Sequence, residues 1–492
     1  MKLMRKFVIS LCMLLVGAGT VASQTWAPLN HQPGVNLGPM LQLRDGRIIA
    51  HEEQSGNASN WWVLTPDATG SYANGTWSSG GQLPAGYRPF YFGSQVLLDG
   101  KTLVIEGGEY NNGSAVWTNL GARLTYSGNS FTWVSNAPPP GWTTIGDAQS
   151  VVLPNGQYMQ ANCCTKQTAI YTGPNTWTPS GNVLAIRNDE SGWNLLPNNK
   201  VLAVDVQVNN NCGTGNVKSS ELYDPTTGTW SCAAQTPTQL WNQNDQELGA
   251  AVMMYNGKLI QFGGLPSATA IYDVASNTWS AGPVPTGFNQ ADGPAALEPN
   301  GKVLAMLSPG LFASGCKMVE YDPTTNTLSN AANPANCPAD SSFVGHLMIL
   351  PTGQIMFTDF SGRVELYTPA PGLVAAAQPI IVAASTNLTR GSVNNVLYGK
   401  QLNGLSENNA YGDDYQGSTN YPLVTLTNVS TGNVYWALTH DESTHSIAPG
   451  TIMYTKFDIP ASLPATPGGP TDYILKVIAN GIRSAGIHVI VH

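Results

Sequence analysis

Seven versions of one short pattern run through this 492-residue chain: an apolar run, a tight turn and a second apolar run. They read "MLQLRDGRIIAHE", "SQVLLDGKTLVIEGG", "QSVVLPNGQYMQA", "GWNLLPNNKVLAVD", "AAVMMYNGKLIQFGG", "PAALEPNGKVLAML" and "HLMILPTGQIMFTD". The turn glycines (Asn199 in the fourth unit) recur at intervals of 43 to 58 residues. Asp-Gly and Asn-Gly between apolar runs are strong hairpin signals, because glycine accepts the positive φ that a two-strand reversal needs. A second element follows most units: "AIYTGPNTW", "ELYDPTTGTW", "AIYDVASNTW" and "VEYDPTTNTL" read as strand, turn, strand. Each unit is thus expected to be a four-stranded antiparallel sheet. Charged residues are only 10% while glycine numbers 52 and proline 34, which disfavours long helices.

A period near fifty with four strands per unit is the signature of kelch-type blades. The expected fold is all-β: a seven-bladed kelch-type β-propeller over 24–372, followed by an immunoglobulin-like β-sandwich over 373–492. Radial arrangement of blades answers the edge-strand problem. The seventh unit ends at "VELYTP" with no Thr-Trp strand after it, whereas Thr25 and Trp26 lie near the start of the chain. Residues 24–29 are therefore expected to complete the last blade. After "PAPG" (369–372) the repeat stops, and short alternating runs such as "PLVTLTN" and "YILKVIA" suit the strands of a sandwich.

Residues 1–23 carry Lys2, Arg5 and Lys6, then an apolar stretch, then small residues, the pattern of a signal peptide. The apolar core from Phe7 to Val16 is too short to span a bilayer. The chain is read as secreted, extracellular or periplasmic, with no membrane span. Removing this segment takes the net charge from −9 to −12, a poor balance for binding nucleic acid. Export permits disulfides. Cys212 and Cys316 precede the third strand of blades four and six, and Cys232 and Cys337 follow the fourth, which suggests the pairs Cys212–Cys232 and Cys316–Cys337. Cys163 and Cys164 either pair with each other or stand unpaired.

The "LxDGxhhhxGG" and "YDPTTxTW" motifs, over essentially the whole mature chain, resemble those of the galactose oxidase and glyoxal oxidase superfamily. That resemblance implies a copper radical oxidase, in which two tyrosines and two histidines hold copper on the propeller axis and one tyrosine is crosslinked to a cysteine. Carried onto this sequence, the radical tyrosine matches Tyr91, the cysteine matches Leu37, and the Tyr-His pair matches Phe343 and Val344. The histidine from the C-terminal domain matches His445 in "STHSIAP". His346 stands two residues beyond the lost pair, a step that keeps the same strand face but moves the side chain roughly 6–7 Å. A chain missing these donors is expected to lack the copper radical chemistry, and so to need no cofactor of that kind. The alternative reading is an alcohol or aldehyde oxidase with a rearranged copper site using Tyr91, His346 and His445.

The starts of the innermost strands hold an acidic set: Asp147, Asp189, Glu190, Glu247 and Asp292. In four consecutive blades these occupy equivalent positions near the channel mouth, so they point to a hydrated polar pore or to a Ca²⁺ site, since hard cations take oxygen ligands. A carboxylate pair there also raises general acid–base hydrolysis. "THDESTH" (439–445) and "YGDDYQGSTNYPL" (411–423) are further polar clusters, the second holding Asp413 and Asp414. Tryptophans outside the repeated Thr-Trp position, Trp193 and Trp241 among them, are candidates for stacking on sugar rings. The preferred expectation is a module binding an extracellular glycan or protein at the propeller's loop face, through Asp147, Glu190, Glu247, Asp292, Trp193 and Trp241.

Overall fold

The repeated turns become short hairpin loops with one left-handed residue. In the computed structural model, which describes residues 24–54, 57–411, 417–464 and 469–492, the seven turn residues have φ between 68° and 91°. In the first unit the Gly46 amide bonds the Leu43 carbonyl at 3.0 Å, and Leu43 N–H closes onto the Arg47 carbonyl at 2.7 Å. The third to seventh units repeat that closure one position for one, and the second, at Leu97 and Thr102, is one residue longer. Only Asn199 replaces glycine, and asparagine is the side chain that best tolerates the left-handed region. The second hairpin of a unit is set by an aspartate: Asp224 Oδ1 accepts the Thr226 amide at 2.9 Å, and Asp322 Oδ1 the Thr324 amide at 2.8 Å.

Seven antiparallel blades result among the described residues, six of them four-stranded sheets and the sixth blade a sheet of five because it takes one added strand. The innermost strands are Leu37–Gln42, Gly93–Val96, Ser150–Val152, Trp193–Leu195, Leu248–Met253, Pro294–Leu297 and His346–Ile349, and all are buried. Thr25–Pro28 pairs antiparallel with Glu365–Thr368 and forms the outer strand of the seventh sheet. Trp26 packs on Phe357 and Tyr367 and donates its indole N–H to the Ala332 carbonyl at 2.7 Å. Trp133 and Trp177 make the same kind of bond, to the Gly80 and Ala137 carbonyls of the preceding blade. Outer-strand tryptophans thus tie blade to blade. Three disulfides join Cys163 to Cys164, Cys212 to Cys232 and Cys316 to Cys337.

Beyond the propeller, strands between Ile380 and Val491 form one continuous nine-stranded arrangement. Val434–His440 belongs to both of its faces. Its first half pairs with Leu423–Asn428 and its second with Met453–Asp458, so the layers share a corner and enclose a core of Leu397, Leu426, Phe457, Leu475 and Val489. The architecture is a β-propeller followed by a β-sandwich. Residues 1–23, 413 and 414 lie outside the described residues. No helix among the described residues is long and apolar enough to cross a membrane.

The sandwich docks on the face where the first two strands of each blade turn. Trp436 covers Gly46, and Tyr421 Oη donates to the Gln42 carbonyl. From this side a segment enters the propeller. Glu407 accepts the Leu195 amide at 2.7 Å, Ser406 Oγ donates to the Met253 carbonyl at 2.5 Å, and Asn408 Nδ2 donates to the Leu297 carbonyl at 2.9 Å. Asn409–Tyr411 then pairs antiparallel with Pro294–Ala296, the innermost strand of the sixth blade. The segment therefore holds three inner strands at once.

Candidate functional site at the channel mouth

At the opposite face the chain enters five of the innermost strands through a left-handed bend. Tyr91, Gly146, Glu190, Gln246 and Asp292 stand there in successive blades with φ of 50°, 69°, 57°, 55° and 43°. Four of the five are not glycine, so the left-handed backbone costs energy at each, of order 1–3 kcal/mol where the residue is bulky. Four of the bends lie at or beside the acidic residues expected from the sequence. The predicted acidic set is brought together. One carboxylate oxygen each from Glu190, Glu247 and Asp292 lies within 4.8 Å of the others. Asp147 and Asp189 approach each other and Cys163 Sγ within the same limit, but that sulfur is in a disulfide and is no thiolate ligand.

Electrostatics follow from crowding in a poorly solvated mouth. Burial raises Asp147 well above the ordinary carboxylate range, and Asp189 and Glu109 push it further. Burial and the neighbouring Asp292 carboxylate raise Glu247, and burial likewise raises Asp292, so this pair retains a proton at neutral pH. Burial raises Asp189 too, against the pull of Arg187, which bonds it at 2.7 Å. Glu109 completes the set and was missed by reading the sequence. It follows the Gly-Gly that ends the second strand of blade two, and such loops open on the same face as the inner-strand starts. That placement was the available signal.

Aromatic side chains rim the mouth. Phe90 stacks on Tyr91 at 3.8 Å between ring centroids, and Tyr110 stands 6.3 Å from Tyr91. Trp117 is 50% exposed, donates its amide N–H to the Glu109 carbonyl at 3.0 Å, and lies against Gly146 beside Cys163. Two expected stacking residues are corrected by the structure. Trp193 and Trp241 are each 1% exposed: the first packs on Trp230 at 5.3 Å and the second among Val204, Val206 and Leu248. Whether on an inner strand, as Trp193, or in a loop packed beneath one, as Trp241, a fully enclosed indole has no face left for a ligand.

The copper donors implied by the family resemblance do not fit. Leu37 is a fully buried hydrocarbon, and Phe343 and Val344 offer no ligand atom. His445 is buried, with Nδ1 3.1 Å from Glu442 Oε1 and Nε2 3.2 Å from Asn420 Nδ2. A carboxylate only accepts, so Nδ1 carries the proton and Nε2 accepts from the amide. Both ring nitrogens are hydrogen-bonded within the protein, and a histidine whose Nδ1–H is held by a carboxylate has only Nε2 to offer a metal. His346 is fully buried and packs on Phe360 at 5.2 Å, and burial lowers its pKa to about 3. Tyr91 packs on the same ring at 6.4 Å. Among the described residues, the groups of three or more His, Cys, Asp or Glu able to share an ion contain no histidine. The mouth is an oxygen-donor site, suited to hard cations, hydroxyl groups and proton exchange.

No family model and no curated protein matches the chain. Among solved structures, a fungal alcohol oxidase of the AA5 family, determined in complex with copper, is similar over 95% of this chain and 99% of its own, with a TM-score of 0.53 and 14% identity. A streptogramin B lyase covers 70% of this chain and 97% of its own at 10% identity, TM-score 0.48. A catalytically inactive virginiamycin B lyase from Staphylococcus aureus with quinupristin covers 70% and 99% at 11% identity, TM-score 0.49. At such identities the likeness to the alcohol oxidase is one of fold: a kelch-like β-propeller followed by a β-sandwich.

Proposed function

We propose that this chain is an exported binding module that takes an extracellular glycan at the channel mouth, and that it does not carry copper radical chemistry. The observation that carries the reading is the convergence of carboxylates from four consecutive blades beside the half-exposed Trp117. Carboxylates accept hydrogen bonds from sugar hydroxyls, and an indole face covers the apolar side of a pyranose ring. The three disulfides suit an oxidising compartment. Calorimetric titration of the full chain with a panel of soluble glycans tests the idea. Binding that falls at least tenfold in Trp117→Ala supports it; wild-type binding by that variant, or no binding across the panel, overturns it.

A second reading rests on the likeness to the copper-bound alcohol oxidase. It calls for a rearranged centre using Tyr91, His346 and His445, the last through Nε2, since Nδ1 is held by Glu442. One equivalent of copper after loading, together with peroxide release from primary alcohols or aldehydes, would replace the binding reading with this one.

A further inference from the structure

We propose that the Cys163–Cys164 disulfide is a redox site at the channel mouth, opened and closed by exchange with an external dithiol, and not a structural cross-link. The inference goes beyond the glycan reading and does not depend on it. A disulfide stabilises a fold chiefly by closing a loop of the unfolded chain, and the gain grows with the length of that loop. Cys212–Cys232 and Cys316–Cys337 do this across sequence separations of 20 and 21. A bond between sequence neighbours closes no such loop, so it has no comparable hold on the fold. The peptide bond also fixes the two Cα atoms 3.8 Å apart, short of the roughly 4.4–6.8 Å that disulfides usually span, and a bond forced out of that range is more readily reduced.

The surroundings suit that role. The pair lies in the loop between strands Tyr158–Ala161 and Thr168–Gly173 of the third blade. Cys163 Sγ sits against Gly146, as does the half-exposed Trp117, so the bond belongs to the mouth. Cys164 is exposed while Cys163 is buried, and a reductant therefore meets the bond at Cys164 Sγ. The loop keeps its shape by other means. Cys163 N–H donates to the Ile145 carbonyl at 2.9 Å, and Asn162 Oδ1 accepts the Cys164 amide at 3.2 Å and the Thr144 hydroxyl at 3.0 Å. Asn188 Nδ2 donates to the Thr165 carbonyl at 3.0 Å. None of these bonds needs the sulfurs to be joined, so the blade stays in place when they part.

In the exchange, a thiolate of the dithiol attacks Cys164 Sγ. One S–S bond forms, the Cys163–Cys164 bond breaks, and the Cys163 sulfur leaves with the electron pair and takes a proton. The second thiol of the reductant then attacks the mixed disulfide and expels the Cys164 sulfur, which takes the second proton. Two electrons pass to the protein, and the reductant departs as its own disulfide.

The test exposes the full chain to increasing dithiothreitol, alkylates the free thiols and locates them by mass spectrometry of peptides. Cys163 and Cys164 are expected to be alkylated together at a concentration at least tenfold below that which opens Cys212–Cys232 or Cys316–Cys337. The folded state is expected to persist, and transfer to oxidised glutathione to close the bond again. Cys163→Ala with Cys164→Ala is expected to lower the thermal midpoint far less than Cys212→Ala with Cys232→Ala. Opening of the neighbouring pair only together with the other two, or after them, overturns the proposal. So does unfolding of the chain when that bond opens, or an equal fall in midpoint for the two double variants. No sugar enters these measurements, so this claim and the glycan reading fail separately.

Discussion

Arg44 and Glu442 are 398 residues apart in sequence and meet, fully buried, where the sandwich docks on the first blade. The guanidinium is bidentate, with contacts of 2.7 and 2.9 Å, and lies 4.4 Å over the Tyr421 ring. Glu442 also accepts from His445 Nδ1 at 3.1 Å. Glu442→Gln keeps the shape and removes the charge, leaving a buried arginine without its anion. Breaking such a pair costs about 3–5 kcal/mol. A second route gives the same scale. Burial by itself raises the Glu442 pKa; Arg44 and His445 overcome it and hold the group down at about 2, against an ordinary 4.5. A carboxyl depressed on folding contributes stability above its unfolded pKa and loses it as pH falls toward and through the folded one. At about 1.4 kcal/mol per unit, that contribution is roughly 3 kcal/mol at neutral pH. Urea denaturation of the full chain at pH 7 is therefore expected to show a loss of about 3–5 kcal/mol for Glu442→Gln and a similar loss for Arg44→Met. Arg44→Met with Glu442→Leu should lose far less than the sum, because an apolar pair leaves no charge stranded. The penalty of Glu442→Gln should shrink as pH is lowered to 2. A cost below about 1 kcal/mol at pH 7, or a penalty unchanged at pH 2, would refute the reasoning.

Glu407 supplies a pH effect of opposite sign. Burial raises it to about 8 despite the Leu195 amide bond, so its contribution is full below about 4.5 and is lost as pH rises through about 8. Glu407→Gln should therefore flatten the decline of stability over that window, by an amount on the order of 4 kcal/mol, as read from urea midpoints at pH 5 and 9; parallel curves for the two proteins would contradict it. Trp26→Ala removes a partly buried indole and its bond to Ala332, and is expected to cost about 2 kcal/mol, seen as a lower thermal midpoint of the full chain. An unchanged midpoint would mean that Thr25–Pro28 adds little to the seventh sheet.

The sevenfold recurrence of apolar run, turn and apolar run was enough to foresee an all-β fold of kelch-like blades, because a period-two pattern broken by a residue able to adopt positive φ leaves few alternatives to a hairpin. The acidic set was legible for a related reason. Equivalent positions in successive repeats, some fifty residues apart in sequence, become neighbours once the strands are arranged around one axis, and Asp147, Glu190, Glu247 and Asp292 share such a position. Burial of individual aromatics was not legible. Trp193 opens the fourth apolar run and Trp241 is flanked mainly by polar residues, and only the packing of one blade on the next shows that both rings fill a core. The role of His445 was equally hidden, since its tautomer depends on Glu442, which depends in turn on an arginine at the other end of the chain. Local pattern determines which strands form and where they turn. Docking of the sandwich against the propeller decides which charges are buried and which are paired, because that contact removes water from groups whose own neighbours in sequence leave them solvated.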